Sequence, residues 1–292
     1  MSRLNKTNIA NKTKALEMTK TVYIDLDGTL LGKNASLLHN AKGERSDVGV
    51  DALAKAEQAG LDLVITTGRD QYRAQEFARV IGLENYIAEL GCVIKHGESI
   101  VIDYGPTVDE LLKSGSLKSE NFLKEIKSAA DFIVKKFSGM VELHARYNRD
   151  QHASIMLKGS LNIEETNSLL AENGWPYLEL NSNGHGMYKR TMPGVNNVLI
   201  YHLAPTGVRK ASGIAKDQEL RGLDKQNCFM IGDGMADVMC SEYVNTVYVP
   251  INGVNSDEDV AKYADSHDNV VVLNESHNEG FAKAIDLILE QN

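Results

Sequence analysis

The sequence predicts an α/β protein: a doubly wound parallel sheet, interrupted partway along the chain by an inserted α+β domain. Two observations carry this. Short apolar, β-branched runs alternate with helical periodicities in two blocks, one near each end of the 292 residues. Strand–helix–strand alternation of that kind implies parallel strands joined by right-handed crossovers. Between the blocks, apolar and polar residues alternate singly, the mark of antiparallel strands with one wet face.

The first block opens with "TVYIDLDGTL", a buried strand running into a Gly-Thr loop. A polar stretch follows, from Gly32 to Asp47. "VGVDALAKAEQAG" then places Val50, Leu53, Ala54 and Glu57 at helical spacing and stops at Gly60. "LDLVITTG" is a second buried strand, and "RDQYRAQEFARVIG" a helix with Phe77, Val80 and Ile81 on one face. The rhythm lapses after "YIAELGCVI" and returns near "VLIYHLAP". Beyond it come the helix "GVRKASGIAKDQELRG", the strand "NCFMIGD", the helix "GMADVMCSEY", the strands "NTVYVP" and "NVVVL", and the helix "EGFAKAIDLILE".

The interval has a different texture. "GMVELHARYN" and "QHASIMLKG" alternate as half-exposed strands do, and "LNIEETNSLLAENG" is a helix capped by Asn162, with Glu165 three residues on. "WPYLELNSNGHGMYKRT" reads as a hairpin around Asn-Gly, with Trp175 and Tyr177 expected in the core of this unit. The expected organisation is a flexible tail over residues 1–20, a core of 21–92 and 203–292, and an insertion over 93–202.

A formal charge of -9 and a pI near 5.4 disfavour a nucleic-acid partner, whose phosphates such a surface repels. An anionic substrate therefore needs a local positive site. Three cysteines, Cys92, Cys228 and Cys240, form no Cys-x-x-Cys pair and fit a reducing compartment. The opening "MSRLNKTNIANKTKALEMTK" has no apolar segment of the signal type, and no later run reaches membrane length. The expectation is a cytoplasmic protein with no membrane partner.

Ligands of a doubly wound sheet gather at the carboxyl ends of its strands, and four segments put reactive side chains there. In "IDLDGT", Asp25 and Asp27 face one way while Leu26 turns inward. Gly28 allows close backbone approach and Thr29 offers a hydroxyl. Two carboxylates this close repel unless a cation lies between them or one holds a proton, although the run also suits an acidic turn. In "VITTGRD", the Thr67 hydroxyl and the amides near Gly68 suit a phosphate oxygen, and a plain strand-to-helix turn explains them equally. Lys210 supplies a compact charge for phosphate or is simply a surface lysine, with Arg209 facing inward instead. In "MIGDGMADVM", Asp233 ends a strand and can reach a cation held by Asp25 and Asp27, an oxygen site of the kind magnesium prefers. Asp237 lies one turn into the next helix, where a carboxylate suits the dipole even without a function.

In this order "DLDGT", "TTGR", Lys210 and "GDGMAD" resemble the four motifs of the haloacid dehalogenase superfamily of aspartate-nucleophile phosphatases. The resemblance covers nearly the whole chain after residue 20. The insertion between Thr67 and Lys210 is similar to that of C2-capped members, among them Cof-type and sucrose-phosphatase-like sugar phosphatases and the phosphomannomutases. The resemblance implies a Rossmann-like core under a C2 cap. It implies Asp25 as nucleophile and Asp27 as general acid and then base. Thr67, the amides near Gly28 and Gly68, and Lys210 would hold the phosphate. Mg2+ would bind Asp25, the backbone carbonyl of Asp27, and Asp233, with Asp237 orienting Lys210 or a metal water. P-type ATPases resemble the superfamily too, but have a threonine where Asp27 stands.

The implied activity is magnesium-dependent hydrolysis of a small phosphomonoester, a sugar phosphate foremost. A phosphomutase would use the same residues; a non-catalytic phosphometabolite-binding protein is the third reading, against which the intact charged positions count. Two departures stand out: Ala236 replaces a common asparagine, and Glu89-Leu90-Gly91 stands where Glu-Asn-Gly is frequent. The Gly32 to Asp47 loop is longer than the usual flap; it either helps close the site, which is the expectation, or is idle surface. In the cap, His144, Arg146, His185, Lys189 and Arg190 are candidates to read the leaving group. Alternation puts His144 and Arg146 on the face opposite Val141, Leu143 and Ala145, toward the site or toward water.

Overall fold

The computed structural model describes residues 19–144, 151–183 and 192–291. The expected tail thus lies outside the described residues as far as residue 18.

The chain begins with the alternation β1 (Thr21–Ile24), α1 (Val48–Gln58), β2 (Asp62–Thr66), α2 (Gln71–Val80) and β3 (Tyr86–Ala88). A hairpin, β4 (Val93–His96) and β5 (Ser99–Ile102), and two helices, α3 (Gly105–Lys113) and α4 (Ser119–Lys136), come next. Then follow β6 (Val141–Leu143), β7 (Ile155–Gly159), α5 (Ile163–Glu172), β8 (Leu178–Ser182) and β9 (Leu199–Pro205). The last part holds α6 (Lys210–Arg221), β10 (Cys228–Ile231), the single turn α7 (Met235–Val238), β11 (Thr246–Val249) and α8 (Ile251–Ser256). It closes with α9 (Glu258–Asp265), β12 (Val270–Val272) and α10 (His277–Glu290).

Eight strands form one sheet in the order β12-β11-β10-β1-β2-β3-β4-β5. It is parallel from β12 to β3, and β4 and β5 extend it antiparallel. Alternation along the strands feeds two cores. Val22, Ile24, Ile65 and Phe229 pack on one face, and Tyr23, Val64, Met230 and Val247 on the other, so both faces are covered. The chain leaves β1 toward β2 on one side and returns at β10 on the other, which opens a crevice at the carboxyl ends of these strands.

A second, antiparallel sheet has the order β6-β7-β9-β8. Its apolar face, with Leu157, Leu180, Tyr201 and Leu203, packs on Phe122, Ile126, Ala129 and Ile133 of α4. Asn162 caps α5 through its side-chain oxygen, which accepts from Glu165 N at 3.0 Å. Trp175 and Tyr177 pack against this core, with Trp175 Nε1 donating to Glu125 Oε2 at 3.1 Å. The expected Asn-Gly turn begins at Asn183 and continues outside the described residues.

Sheet membership differs from the expectation at both junctions. Residues 93–102 belong to the large sheet, and "VLIYHLAP" is β9, the strand between β7 and β8 in the small one. The expected boundaries at 93 and 202 therefore shift toward Asp103 and Thr206. The reason is that β9 is buried on both faces. A strand covered on both sides has the same unbroken apolar run in either kind of sheet. The flap from Gly32 is folded on itself by Gly32 N to Ser36 O at 2.9 Å, and Asn278 Nδ2 of α10 holds it through His39 O at 3.1 Å. Among the described residues no helix is long and apolar enough to cross a membrane.

Candidate active site

Ile24 lies opposite Ile65 on β2 and Ile231 on β10, so the three segments that follow emerge together at one edge of the sheet. The ladder runs slightly past the strands through Asp25 N to Ile231 O at 2.9 Å and Thr67 N to Ile87 O at 2.9 Å. Asp25 and Thr67 are thus fixed by the sheet itself, and Asp233 follows Gly232, whose N donates to Tyr248 O at 3.1 Å.

Lys210 is the first residue of α6 and is buried. Its Nζ donates to Asp25 Oδ1 at 2.5 Å and to Asp237 Oδ1 at 2.7 Å. Arg209 turns away and pairs with Glu179 at 3.3 Å, so the inward-facing cation of the two is the lysine. Asp237 is held in turn by Gly234 N, which donates to its Oδ2 at 2.9 Å. Two glycines make this approach possible. Gly28 has φ +95° and a Cβ there would collide with the Asp233 carboxylate, while a Cβ on Gly232 would collide with Asp237.

Asp233 is clamped from two sides. Thr29 Oγ1 donates to its Oδ1 at 2.9 Å and Asn252 Nδ2 to its Oδ2 at 2.9 Å. The same Asn252 nitrogen reaches Gly28 O at 2.9 Å, and its Oδ1 accepts from His277 N at 2.9 Å. Asn252 was not singled out from the sequence. It follows β11, the next strand along the sheet, so the rule that polar residues at strand carboxyl ends line the crevice would have found it.

The electrostatics leave a surplus of negative charge. Burial pushes the Asp25 carboxyl well above the ordinary range; Lys210 opposes this, and Asp237 and Asp233 add to it. Burial and then Asp237 push Asp233 up to about 7. Burial works against the Lys210 charge, yet Asp237 and Asp25 hold it above the usual lysine range. One ligand atom from each of Asp25, Asp233 and Asp237 lies within 4.8 Å of the others, an oxygen set of the kind a hard divalent cation takes. Carboxyls pushed up by burial and by one another are groups that a bound cation would relieve.

The Asp27 carboxylate is turned instead to Arg69, which follows Thr67 and Gly68 and donates Nε to Oδ2 at 2.7 Å and Nη2 to Oδ1 at 2.5 Å. Sequence reasoning gave Arg69 no role. Thr67 is buried, and its Oγ1 accepts from Arg69 N at 3.2 Å.

Glu89 ties the two sheets together. Its fully buried carboxylate accepts from His152 N at 2.9 Å, Ala153 N at 3.1 Å and Ser154 N at 3.2 Å, the segment leading into β7. Glu89 and Leu90 have φ of +51° and +61°, a left-handed turn that aims the carboxylate at these amides. Burial pushes its carboxyl up to about 7 against the hydrogen bonds, which lower it. Of the cap candidates, His144 is buried beside β7, its N donating to Met156 O at 2.9 Å. Arg146, His185, Lys189 and Arg190 lie outside the described residues.

Fold and site together define a hydrolase built on a parallel α/β sheet. Residues 22–285 match the model of a family described as haloacid dehalogenase-like hydrolases, and the chain belongs to that family. It is similar to phosphoglycolate phosphatases of Methanosarcina acetivorans (23% identical over 273 residues, 94% of this chain and 97% of that protein) and Methanococcoides burtonii (24% over 246 residues, 84% and 88%). Among solved structures it resembles the sucrose-phosphatase of Synechocystis, with TM-score 0.63, 16% identity, and 92% of this chain and 98% of that one covered. A subclass IIB sugar phosphatase of the same superfamily aligns with TM-score 0.58 and 17% identity over 92% and 98%. At such identities the structural likeness establishes the fold.

Proposed function

We propose that the protein is a magnesium-dependent phosphatase that hydrolyses a small phosphomonoester, a sugar phosphate foremost, through an aspartyl-phosphate on Asp25. The observation that carries this is the Lys210 ammonium held at 2.5 Å from Asp25 and 2.7 Å from Asp237. A buried lysine beside a carboxylate nucleophile stands where the transferring phosphoryl group brings its negative charge. The names of the relatives support the reading: two are phosphoglycolate phosphatases, and the structural neighbours include a sucrose-phosphatase and a sugar phosphatase.

An Asp25 oxygen attacks phosphorus and the bond to the leaving oxygen breaks, that oxygen taking a proton from Asp27. A water then attacks the phosphoaspartate, Asp27 takes its proton, and phosphate departs with Asp25 regenerated. Arg69 orients Asp27 between the steps, and the carboxyl leaves one arm of that fork while it carries the proton; Thr67 and the amides near Gly28 and Gly68 hold phosphate oxygens. Asp25, the Asp27 carbonyl and Asp233 would hold magnesium, with Asp237 placing Lys210. The ion supplies positive charge to offset that of the phosphoryl group.

Full-length protein, assayed with magnesium against a panel of phosphometabolites, tests the reading. Release of free phosphate is expected for at least one substrate, abolished by EDTA and by Asp25→Asn. Phosphate release no greater than the Asp25→Asn background for every substrate would sink it.

A further inference from the structure

Lys210, Ile214, Asp217 and Arg221 fall on one stripe of α6, the stripe that faces the large sheet. Asp25 takes the Lys210 ammonium at the carboxyl end of the strands. Tyr23, two residues earlier on the same face of β1, donates its hydroxyl to Asp217 Oδ2 at 2.8 Å. Helix and strand are thus joined by two polar rungs, one inside the crevice and one beneath it.

The lower rung is part of a larger network. Arg221 Nη1 donates to Asp217 Oδ2 at 3.1 Å and its Nη2 to Asp62, the first residue of β2. Asp62 also accepts from Thr21 Oγ1 at 3.1 Å. The C-terminal half of α6 is therefore pinned to the amino ends of β1 and β2, the two strands whose other ends present Asp25 and Thr67.

Stability does not account for a carboxylate in this place. Asp217 has no exposed surface, and its Oδ1 has no partner among the described residues. Burial pushes its carboxyl up, against Arg221 and the Tyr23 hydroxyl. Apolar residues of similar size often replace a buried ion pair without loss of stability, and the best-attested use of such a group is to fix register. Register needs fixing here. The apolar part of the contact is Ala211, Gly213 and Ile214, and small side chains form low ridges that do little to stop a helix sliding along its axis. An ammonium seated 2.5 Å from Asp25 and 2.7 Å from Asp237 tolerates no such slide.

We propose that Tyr23, Asp217 and Arg221 are positioning residues for Lys210, setting the depth at which α6 lies on β1 and so the place of the ammonium against Asp25. The assignment deepens the phosphatase reading and rests on it for turnover; anion binding at Lys210 tests it separately.

Tyr23→Phe deletes one oxygen and keeps the ring that fills the core. In steady-state kinetics on the best substrate, kcat is expected to fall about tenfold or more, as misplaced catalytic groups cause, with KM at most threefold higher. Calorimetric titration with inorganic phosphate, magnesium present, should show binding at least twofold weaker, and the same change made in Lys210→Met protein should have no effect. Asp217→Asn, which still accepts from the tyrosine, should keep more activity than Asp217→Ala. Ile285→Val, in the core on the opposite sheet face, is the control for lost stability and should match the parent in kcat and phosphate affinity. Arg221→Lys repeats the measurements should Tyr23→Phe fail to fold.

Parental kcat and phosphate affinity in Tyr23→Phe, or equal losses with and without the Lys210 ammonium, overturn the assignment. A phosphate effect confined to protein with Lys210 intact, but no phosphate release from any substrate, upholds it and removes the phosphatase reading instead. Protein that neither binds phosphate nor releases it from any substrate overturns both.

Discussion

The Arg69 guanidinium forks onto the Asp27 carboxylate, Nε at 2.7 Å from one oxygen and Nη2 at 2.5 Å from the other. A planar bidentate pair fixes direction as well as charge, which a lysine cannot do. If Asp27 shuttles the proton, Arg69→Lys keeps the charge and loses the aim. General acid–base catalysis contributes about 10²–10⁴-fold, and kcat should fall by at least tenfold. Steady-state kinetics checks this; an unchanged kcat would show that the fork has no part in catalysis.

Lys210→Ala leaves the carboxylates of Asp25, Asp233 and Asp237 facing one another without their cation. Removing one partner of a buried pair costs about 3–5 kcal/mol. Urea denaturation should show a loss of that order without divalent metal and a smaller loss with saturating magnesium. Equal losses under the two conditions would count against a metal among these carboxylates.

Asn252 clamps Asp233 and the Gly28 carbonyl together. Groups that orient metal ligands typically account for about 10–100-fold in metal affinity. Asn252→Ala should weaken magnesium binding within that range, as read by calorimetry, while the far-ultraviolet dichroism stays that of the parent.

The Glu89 carboxyl, pushed by burial from 4.5 to about 7, makes stability depend on pH in a defined sense. Between those values the folded protein holds a proton that the unfolded chain has released, so this term weakens as pH rises through the window. A shift of this size corresponds to roughly 3 kcal/mol at about 1.4 kcal/mol per unit. Glu89→Gln cannot titrate. From pH 5 to pH 7.5 the parent should lose more stability than the variant in urea melts, and parallel slopes would contradict the assignment.

Much of the site was legible because strand ends are legible. The segments after "TVYI", "DLVIT" and "CFMI" each place a polar residue at the carboxyl edge of one sheet, and the structure brings Asp25, Thr67 and Asp233 there. Whether Lys210 or Arg209 faced inward was open, since both lie at the start of one helix and only packing against Asp25 and Asp237 separates them. Glu89 and Arg69 were given no role for a shared reason: each acts on residues remote in sequence, and local pattern carries no such information. Glu89 in particular speaks to the amides of residues 152–154. β9 was misplaced because burial on both faces erases the alternation that would tell the two sheets apart.

The chain path from the small sheet to the crevice is short. β9 ends at Pro205 and α6 starts at Lys210, with Thr206 to Arg209 alone between them. The link has little slack, since Val208 is buried and a Cβ on Gly91 would strike the Arg209 carbonyl. β9 and the ammonium that meets Asp25 are thus neighbours on one taut line. A tilt of the inserted sheet larger than those few residues absorb would therefore pull on the ammonium that Asp25 and Asp237 hold, so the seating of that sheet and the placement of the charge share one short stretch of chain.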